Sequence, residues 1–308
     1  MKNLILLFVL FTTFQVAKAQ DLYCATFGNP NDIPILFFHG GPGYNCASFE
    51  VSTAKKLSEN GFYVIVYDRR GEGRSADLSA KFNFQETFED INLILKKYNI
   101  QKINLIGHSF GGILATLFTE KYPEKVKAII LASTPVSLQE TFRTILTSCR
   151  KIYIEKQDKT NLNYIEMIEK MDTTSAQYFA YSFGHAMQNR FYSPKNLSNE
   201  AIIIYENSKK VDAFKNTMIM TNEAPISFLK NENYTSINLS KNLKKLIENK
   251  TKIFGIYGKE DGLYSKKQVT DLANILVNYN LKYLDNCSHN IFIDQQKIFI
   301  ESLKNWLK

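Results

Sequence analysis

The sequence predicts an α/β fold: a mostly parallel β-sheet flanked by helices, with a helical cap inserted after the strand at 126–132. Three observations carry this. Short apolar runs recur at 35–38, 62–67, 102–106 and 126–132, with helix-length segments between them. The alternation stops at Pro135 and resumes with apolar runs at 253–257 and 281–284. Glycine-rich loops follow several runs, at 39–43, 68–75 and 258–262. Strands separated by helices run parallel and are covered on both faces. In such sheets the chemistry gathers at the carboxyl ends of the strands.

Taken in order, the first nineteen residues read as a secretory signal peptide. Met1-Lys2-Asn3 is a basic start, and Leu4 to Phe11 is an apolar run too short to span a bilayer. Small residues at Ala17 and Ala19 predict cleavage before Gln20, hence a periplasmic or secreted protein with no membrane attachment afterwards. The expected plan is a signal at 1–19, a core at 20–135 and 251–308, and a cap at 136–250.

Within the core, the first run ends in His39-Gly40-Gly41-Pro42-Gly43. A helix at 48–60 follows, with Gly61 as its C-cap. The run at 62–67 leads into the loop from Asp68 to Ser75. Residues 84–98 place Phe88, Ile91, Leu95 and Tyr98 on one helical face. The run at 102–106 enters Gly107-His108-Ser109-Phe110-Gly111, and a helix runs on to Tyr122, stopped by Pro123. In the insertion, helices are expected at 138–153, 163–171, 176–187, 212–221 and 239–248, with frequent aromatics. Helices at 265–276 and 294–306 frame the last strand.

Strand, tight turn and helix around G-x-S-x-G form the context of a nucleophile elbow, so Ser109 is the candidate nucleophile. A serine hydroxyl needs a base, and the base needs an acid to orient it. The chain has four histidines: His39, His108, His185 and His289. Only His289 follows a returning strand near the C-terminus, so it is the candidate base. The candidate acid is Asp261, in the loop after the 253–257 strand, with Glu260 as the rival and Asp285 at the wrong strand end. Backbone N–H groups of Gly41 and Phe110 are the candidate oxyanion hole. Asp68, with Arg69, Arg70 and Arg74, reads as internal buttressing rather than a substrate clamp.

The net charge of the chain is +8. The lysines are scattered among glutamates and asparagines as solvated faces, and no basic stretch is interleaved with aromatics, so no nucleic-acid partner is expected. No histidine pair has metal-ligand spacing and no phosphate-binding loop is present, so neither metal nor cofactor is expected. An exported chain allows Cys24, Cys46, Cys149 and Cys287 to oxidise, with Cys46 and Cys287 the pair nearest the catalytic loops.

With His39 to Gly43, Asp68 to Ser75, Ser109, Asp261 and His289 in this order, the chain resembles the α/β-hydrolase superfamily. Its H-G-G-P-G loop and D-x-R-G-x-G-x-S stretch resemble the proline iminopeptidase (prolyl aminopeptidase) family in particular. That resemblance implies release of an N-terminal proline or small residue from short peptides. It also implies a cap glutamate that binds the free amino group: Glu223, with Glu232 as a second candidate. The elbow differs from these peptidases, which usually carry glycine and tryptophan around the serine, and the insertion has no tryptophan. A carboxylesterase or other small-molecule hydrolase is therefore the alternative enzyme, with a small peptide or ester as substrate. A non-catalytic binding protein on the same fold is the alternative from another class.

Overall fold

The computed structural model describes residues 21–277 and 280–308. The expected signal peptide lies outside the described residues. A seven-stranded sheet has the order β1-β3-β2-β4-β5-β6-β7. Its strands are β1 Cys24–Phe27, β2 Ile33–Phe38, β3 Phe62–Tyr67, β4 Ile103–His108, β5 Val126–Ala132, β6 Lys252–Gly258 and β7 Leu281–Leu284. All adjacent pairs are parallel except β1 with β3. β1 is the strand the sequence reading lacks. It is a four-residue, partly exposed edge piece without an apolar run.

Side chains of β2 alternate between two cores, as strand geometry requires. Phe37 stacks on Phe49 with ring centroids 3.8 Å apart and meets Phe292 edge-on. Phe38 faces the opposite core. Residues 47–58 form the first helical stretch, α1, with a π-helical turn at Glu50–Ala54. The next helices are α2 Phe84–Lys97 and α3 Phe110–Lys121.

The segment between β5 and β6 is helical. It carries α4 Leu138–Glu155, α5 Lys159–Ile168, α6 Ala176–Gln188, α7 Asn199–Lys209, α8 Glu223–Glu232 and α9 Ser240–Glu248. Ser137, Ser175 and Ser198 each accept an N–H of the first turn of their helix, which explains where α4, α6 and α7 begin. Two expectations change here. The helix expected at 212–221 is a 3₁₀ stretch at Asp212–Met218, and α7 and α8 occupy ground read as irregular. After β6 come α10 Lys266–Leu276, then a short, unexpected α11 Ile291–Asp294, and then the expected final helix as α12 Gln296–Leu307.

The strand order reverses between β2 and β4. Phe38 pairs with Gly107, and His108 with Ala132. The loop after β2 and the elbow after β4 therefore leave the sheet side by side. This is the position where open α/β sheets bind ligands.

Candidate active site

Ser109 has φ 52° and ψ −125°, a conformation costly for a residue with a Cβ. The surrounding glycines make it possible. A Cβ at Gly111 would run into the carbonyl of Phe38 and would lie 2.7 Å from His39 O. A Cβ at Gly107 would collide with the backbone of Gly112. The turn is pinned by Ser109 N–H donating to Ala132 O at 3.0 Å. Phe110 opens α3, so its N–H has no intrahelical acceptor and is free for a ligand.

Asp261 and His289 meet on the loops after β6 and β7. His289 Nδ1 is 2.8 Å from Asp261 Oδ2, and both residues are buried. The carboxylate only accepts, so Nδ1 carries a proton, and in the neutral ring that leaves the lone pair on Nε2. Asp261 Oδ1 also accepts Leu263 N–H at 3.1 Å. The rivals are engaged elsewhere: Glu260 accepts Lys195 N–H at 2.5 Å, and Asp285 pairs with Lys259 at 2.8 Å on the surface.

His108, beside the serine, is a support that the sequence reading does not assign. Its ring lies 4.8 Å from that of His289, and its Nε2–H donates to His289 O at 3.0 Å. Burial, then the neighbouring His289, push its imidazole down to about 3, so it stays a neutral donor.

The His39–Gly43 loop is held by a buried ion pair. Arg69 Nη1 donates to His39 O at 2.7 Å, and Nη2 to Gly40 O at 2.6 Å. Glu72 takes both Arg69 Nε and Nη2, at 3.0 and 2.8 Å, and accepts Gly43 N–H at 3.0 Å. The guanidinium lies 5.3 Å from the centre of the Phe110 ring, joining the loop to the elbow. Gly41 has φ 110°, which an L side chain rarely adopts. Burial pushes Glu72 up, against the pull of Arg69. Asp68 buttresses as expected, accepting Cys46 N–H at 2.8 Å and Arg74 N–H at 2.9 Å. The sequence signal for Glu72 is an acid three residues after an arginine inside a glycine-rich loop.

The cavity at Ser109 is lined by Gly41, Phe110, Pro135, Leu138, Thr141, Phe179, Phe183, Tyr234, Leu263 and Tyr264. Glu223 does not line it. It is exposed in the first turn of α8, two residues before Pro225, which packs on Gly43. Glu232 caps α2, accepting Phe84 N–H at 2.6 Å. All four cysteines are free, so the Cys46–Cys287 pairing is not formed. Among the described residues no group of three His, Cys, Asp or Glu could hold a metal ion.

A parallel sheet with an elbow serine at its switch point, and an acid–histidine pair on the last two strand ends, is the architecture of a hydrolase. The profile of the family described as alpha/beta hydrolase fold matches residues 33–296, and the chain belongs to that family. The chain is 29% identical over 140 residues to a putative proline iminopeptidase of Mycoplasma genitalium, spanning 44% of that protein. It is 25% identical over 300 residues to the proline iminopeptidase of Lactobacillus delbrueckii subsp. lactis, covering 92% of this chain and 94% of that one. In structure it is similar to a proline iminopeptidase-related protein from Thermus thermophilus, with a TM-score of 0.66, 20% identity, and 93% and 92% of the two chains covered. A structure reported for carboxylesterases of Nitrososphaera gargenis has a TM-score of 0.58 at 20% identity, with 92% and 93% covered.

Proposed function

We propose that the chain is a serine hydrolase acting on small acyl substrates, first as an aminopeptidase that releases N-terminal proline or a small residue from short peptides. The buried Asp261–His289 pair beside the strained Ser109 elbow carries the hydrolase reading. Ser109 Oγ attacks the scissile carbonyl while His289 Nε2 takes its proton. The N–H groups of Gly41 and Phe110 receive the oxyanion. His289 then protonates the leaving amine, and water repeats the sequence on the acyl-enzyme. Asp261 holds the imidazole in the required tautomer throughout.

The peptidase reading draws support from the H-G-G-P-G loop and from the names of the relatives matched over most of their length. One observation favours the carboxylesterase reading instead: among the described residues no carboxylate lines the cavity at Ser109. A buried substrate ammonium without a partner is costly, whereas an ester needs none. A non-catalytic role is the reading that Ser109 chemistry would remove. Export is proposed on the first nineteen residues alone, and protein from the native host that still begins at Met1 would refute it.

The test is Ser109→Ala, assayed on proline-naphthylamide and p-nitrophenyl acetate. The expected loss in kcat is on the order of a million-fold with the circular-dichroism spectrum unchanged, about as much for His289→Ala, and less for Asp261→Asn. A Ser109→Ala protein that keeps a tenth of the activity defeats the proposal.

A further inference from the structure

Many of the buried hydroxyls among the described residues are bonded. In α3, Thr116 and Thr119 donate back to Gly112 O and Ala115 O at 2.8 and 2.7 Å. Tyr257 and Tyr264 donate to Thr134 O and Ser133 O, both at 2.7 Å. Thr141 and Tyr234 differ. Their side-chain oxygens are buried without any partner among the described residues, and the two residues are only 1% and 2% exposed. Both line the cavity at Ser109. Among the described residues four other buried hydroxyls lack a partner, on Tyr67, Ser133, Ser182 and Thr235, and none of those residues lines this cavity.

The two come from separate parts of the cap. Thr141 lies in the first turn of α4, where its backbone N–H donates to Ser137 O at 3.1 Å and its hydroxyl is left without a partner. Tyr234 begins the turn after α8, its ring set edge-on to Phe110 at 5.1 Å. Around them the walls are Phe179, Phe183, Leu138 and Leu263. A buried hydroxyl left unpaired destabilises a protein and asks for an explanation. Two in one catalytic cavity, among apolar walls, have one when a ligand supplies the missing partner. A site built this way rejects analogues that lack the bonding atom.

We propose that Tyr234 and Thr141 form a polar subsite for a nitrogen or oxygen atom carried by the acyl group of the substrate, beside an otherwise apolar ring or short chain. This rests on the serine-hydrolase reading. The acyl group is the part in question because it stays bonded to Ser109 after the leaving group has gone, and the cavity at Ser109 must hold it through both halves of the reaction. A prolyl group satisfies the description through its ring nitrogen. So does a tetrahydrofuran-2-carbonyl group through its ring oxygen. A cyclopentanecarbonyl group has the same shape and lacks the atom.

The experiment measures kcat/KM for the p-nitrophenyl esters of tetrahydrofuran-2-carboxylic and cyclopentanecarboxylic acids, each divided by its rate with hydroxide to remove intrinsic reactivity. The wild type is expected to prefer the oxygen-bearing ester by about tenfold or more, the worth of one or two hydrogen bonds. Tyr234→Phe should cut that preference by about tenfold, and Thr141→Val should lower it further when combined. Thermal melting supplies an independent readout. Removing a hydroxyl that has no partner in the free protein should leave the melting temperature level or raise it.

A preference unchanged in both variants, or absent in the wild type, overturns the subsite. So does a fall of several degrees in melting temperature for Tyr234→Phe, since the hydroxyl would then be bonded within the protein. Fluorophosphonate labelling of Ser109 in the same preparations separates the two readings. Labelled enzyme with an unchanged preference defeats the subsite alone. Unlabelled wild type that cleaves neither ester defeats the serine-hydrolase reading, and the subsite with it.

Discussion

The core and the cap hold their parts of the site by different means. In the core, each candidate catalytic group is fixed by backbone that cannot be elsewhere: glycines pressed against carbonyls, strand ends in register, and a buried ion pair clamping a loop. In the cap, the contribution is made by side chains that close over the cavity from helices joined by irregular turns. Core constraints are geometric and leave marks in the sequence. Cap constraints are matters of surface and volume, which many residues can satisfy. The cap also leaves Met187, Ile203, Met218, Met220 and Ile226 well exposed, whereas the inner strands β3 to β6 bury every apolar side chain.

The comparison breaks most easily at the elbow. Gly111→Ala puts a Cβ into the carbonyl of Phe38, where backbone faces backbone and neither side can give. The expected loss is about 4 kcal/mol or more, or failure to fold, read by denaturant unfolding. By contrast, a Cβ at Gly184, in cap helix α6, meets nothing within 4 Å. Gly184→Ala should therefore be neutral or stabilising by up to about 1 kcal/mol. Equal tolerance at both positions would contradict the claim that core geometry is the stricter.

The next largest effect concerns the clamp. Arg69→Met strands Glu72 in the interior, and loss of one partner of a buried pair costs about 3–5 kcal/mol. The double variant Arg69→Met, Glu72→Leu should recover much of that stability. It should not recover kcat, because the His39–Gly43 loop loses the donors to His39 O and Gly40 O and the acceptor for Gly43 N–H. Recovery of both together would show that the pair contributes stability alone.

The legibility of the sequence follows the same division. The parallel strands are readable because buried strands are uninterrupted apolar runs, and the elbow because its glycines have no substitutes. The pairing of Asp261 with His289 can be anticipated from chain order, while the roles of Glu72 and His108 cannot. Glu72 depends on a bond to Gly43, 29 residues away, and His108 on one to His289, 181 residues away. In the cap, α7 escapes the sequence reading although Ser198 caps it, because its apolar residues Ile202 and Ile203 face solvent and blur the helical stripe. α8 escapes it because Pro225 stands in its first turn and Asn222 makes no side-chain cap. Thr141 and Tyr234 carry no local mark at all.

At the seam between the regions, cap residue Tyr205 donates to Asp294 Oδ1 at 3.1 Å, and Asp294 Oδ2 accepts Ser288 N–H at 2.9 Å, next to His289. Burial pushes the Asp294 carboxyl from 3.8 up to about 6. The folded state therefore holds a proton that the unfolded chain has released between those two values. Stability from this group is complete below about pH 4 and is lost as pH rises to about 6, by roughly 3 kcal/mol at most. Asp294→Asn removes that titration. The stability of the variant minus that of the wild type should grow by that amount between pH 4 and 7, read by urea unfolding. A constant difference across that range would show that the seam does not titrate.

The smallest effect is expected at Glu223. It is exposed, so any pairing with a substrate ammonium is screened by water and worth about 1 kcal/mol or less. It nonetheless stands on the segment that touches the His39–Gly43 loop, through Thr221 N–H donating to Gly43 O at 3.0 Å and Pro225 packing on Gly43. If the cap recognises an N-terminal amine there, Glu223→Gln should lower kcat/KM for proline-naphthylamide by up to about fivefold and move p-nitrophenyl acetate hydrolysis much less. N-acetylation of the prolyl substrate should hurt the wild type more than the substitution does, because it removes the amine's charge and adds bulk at a cavity walled by Phe179 and Phe183. Acetylated and free-amine substrates cleaved equally well would end the aminopeptidase reading. The cap would then be a cover for uncharged acyl groups, and the carboxylesterase reading would stand in its place.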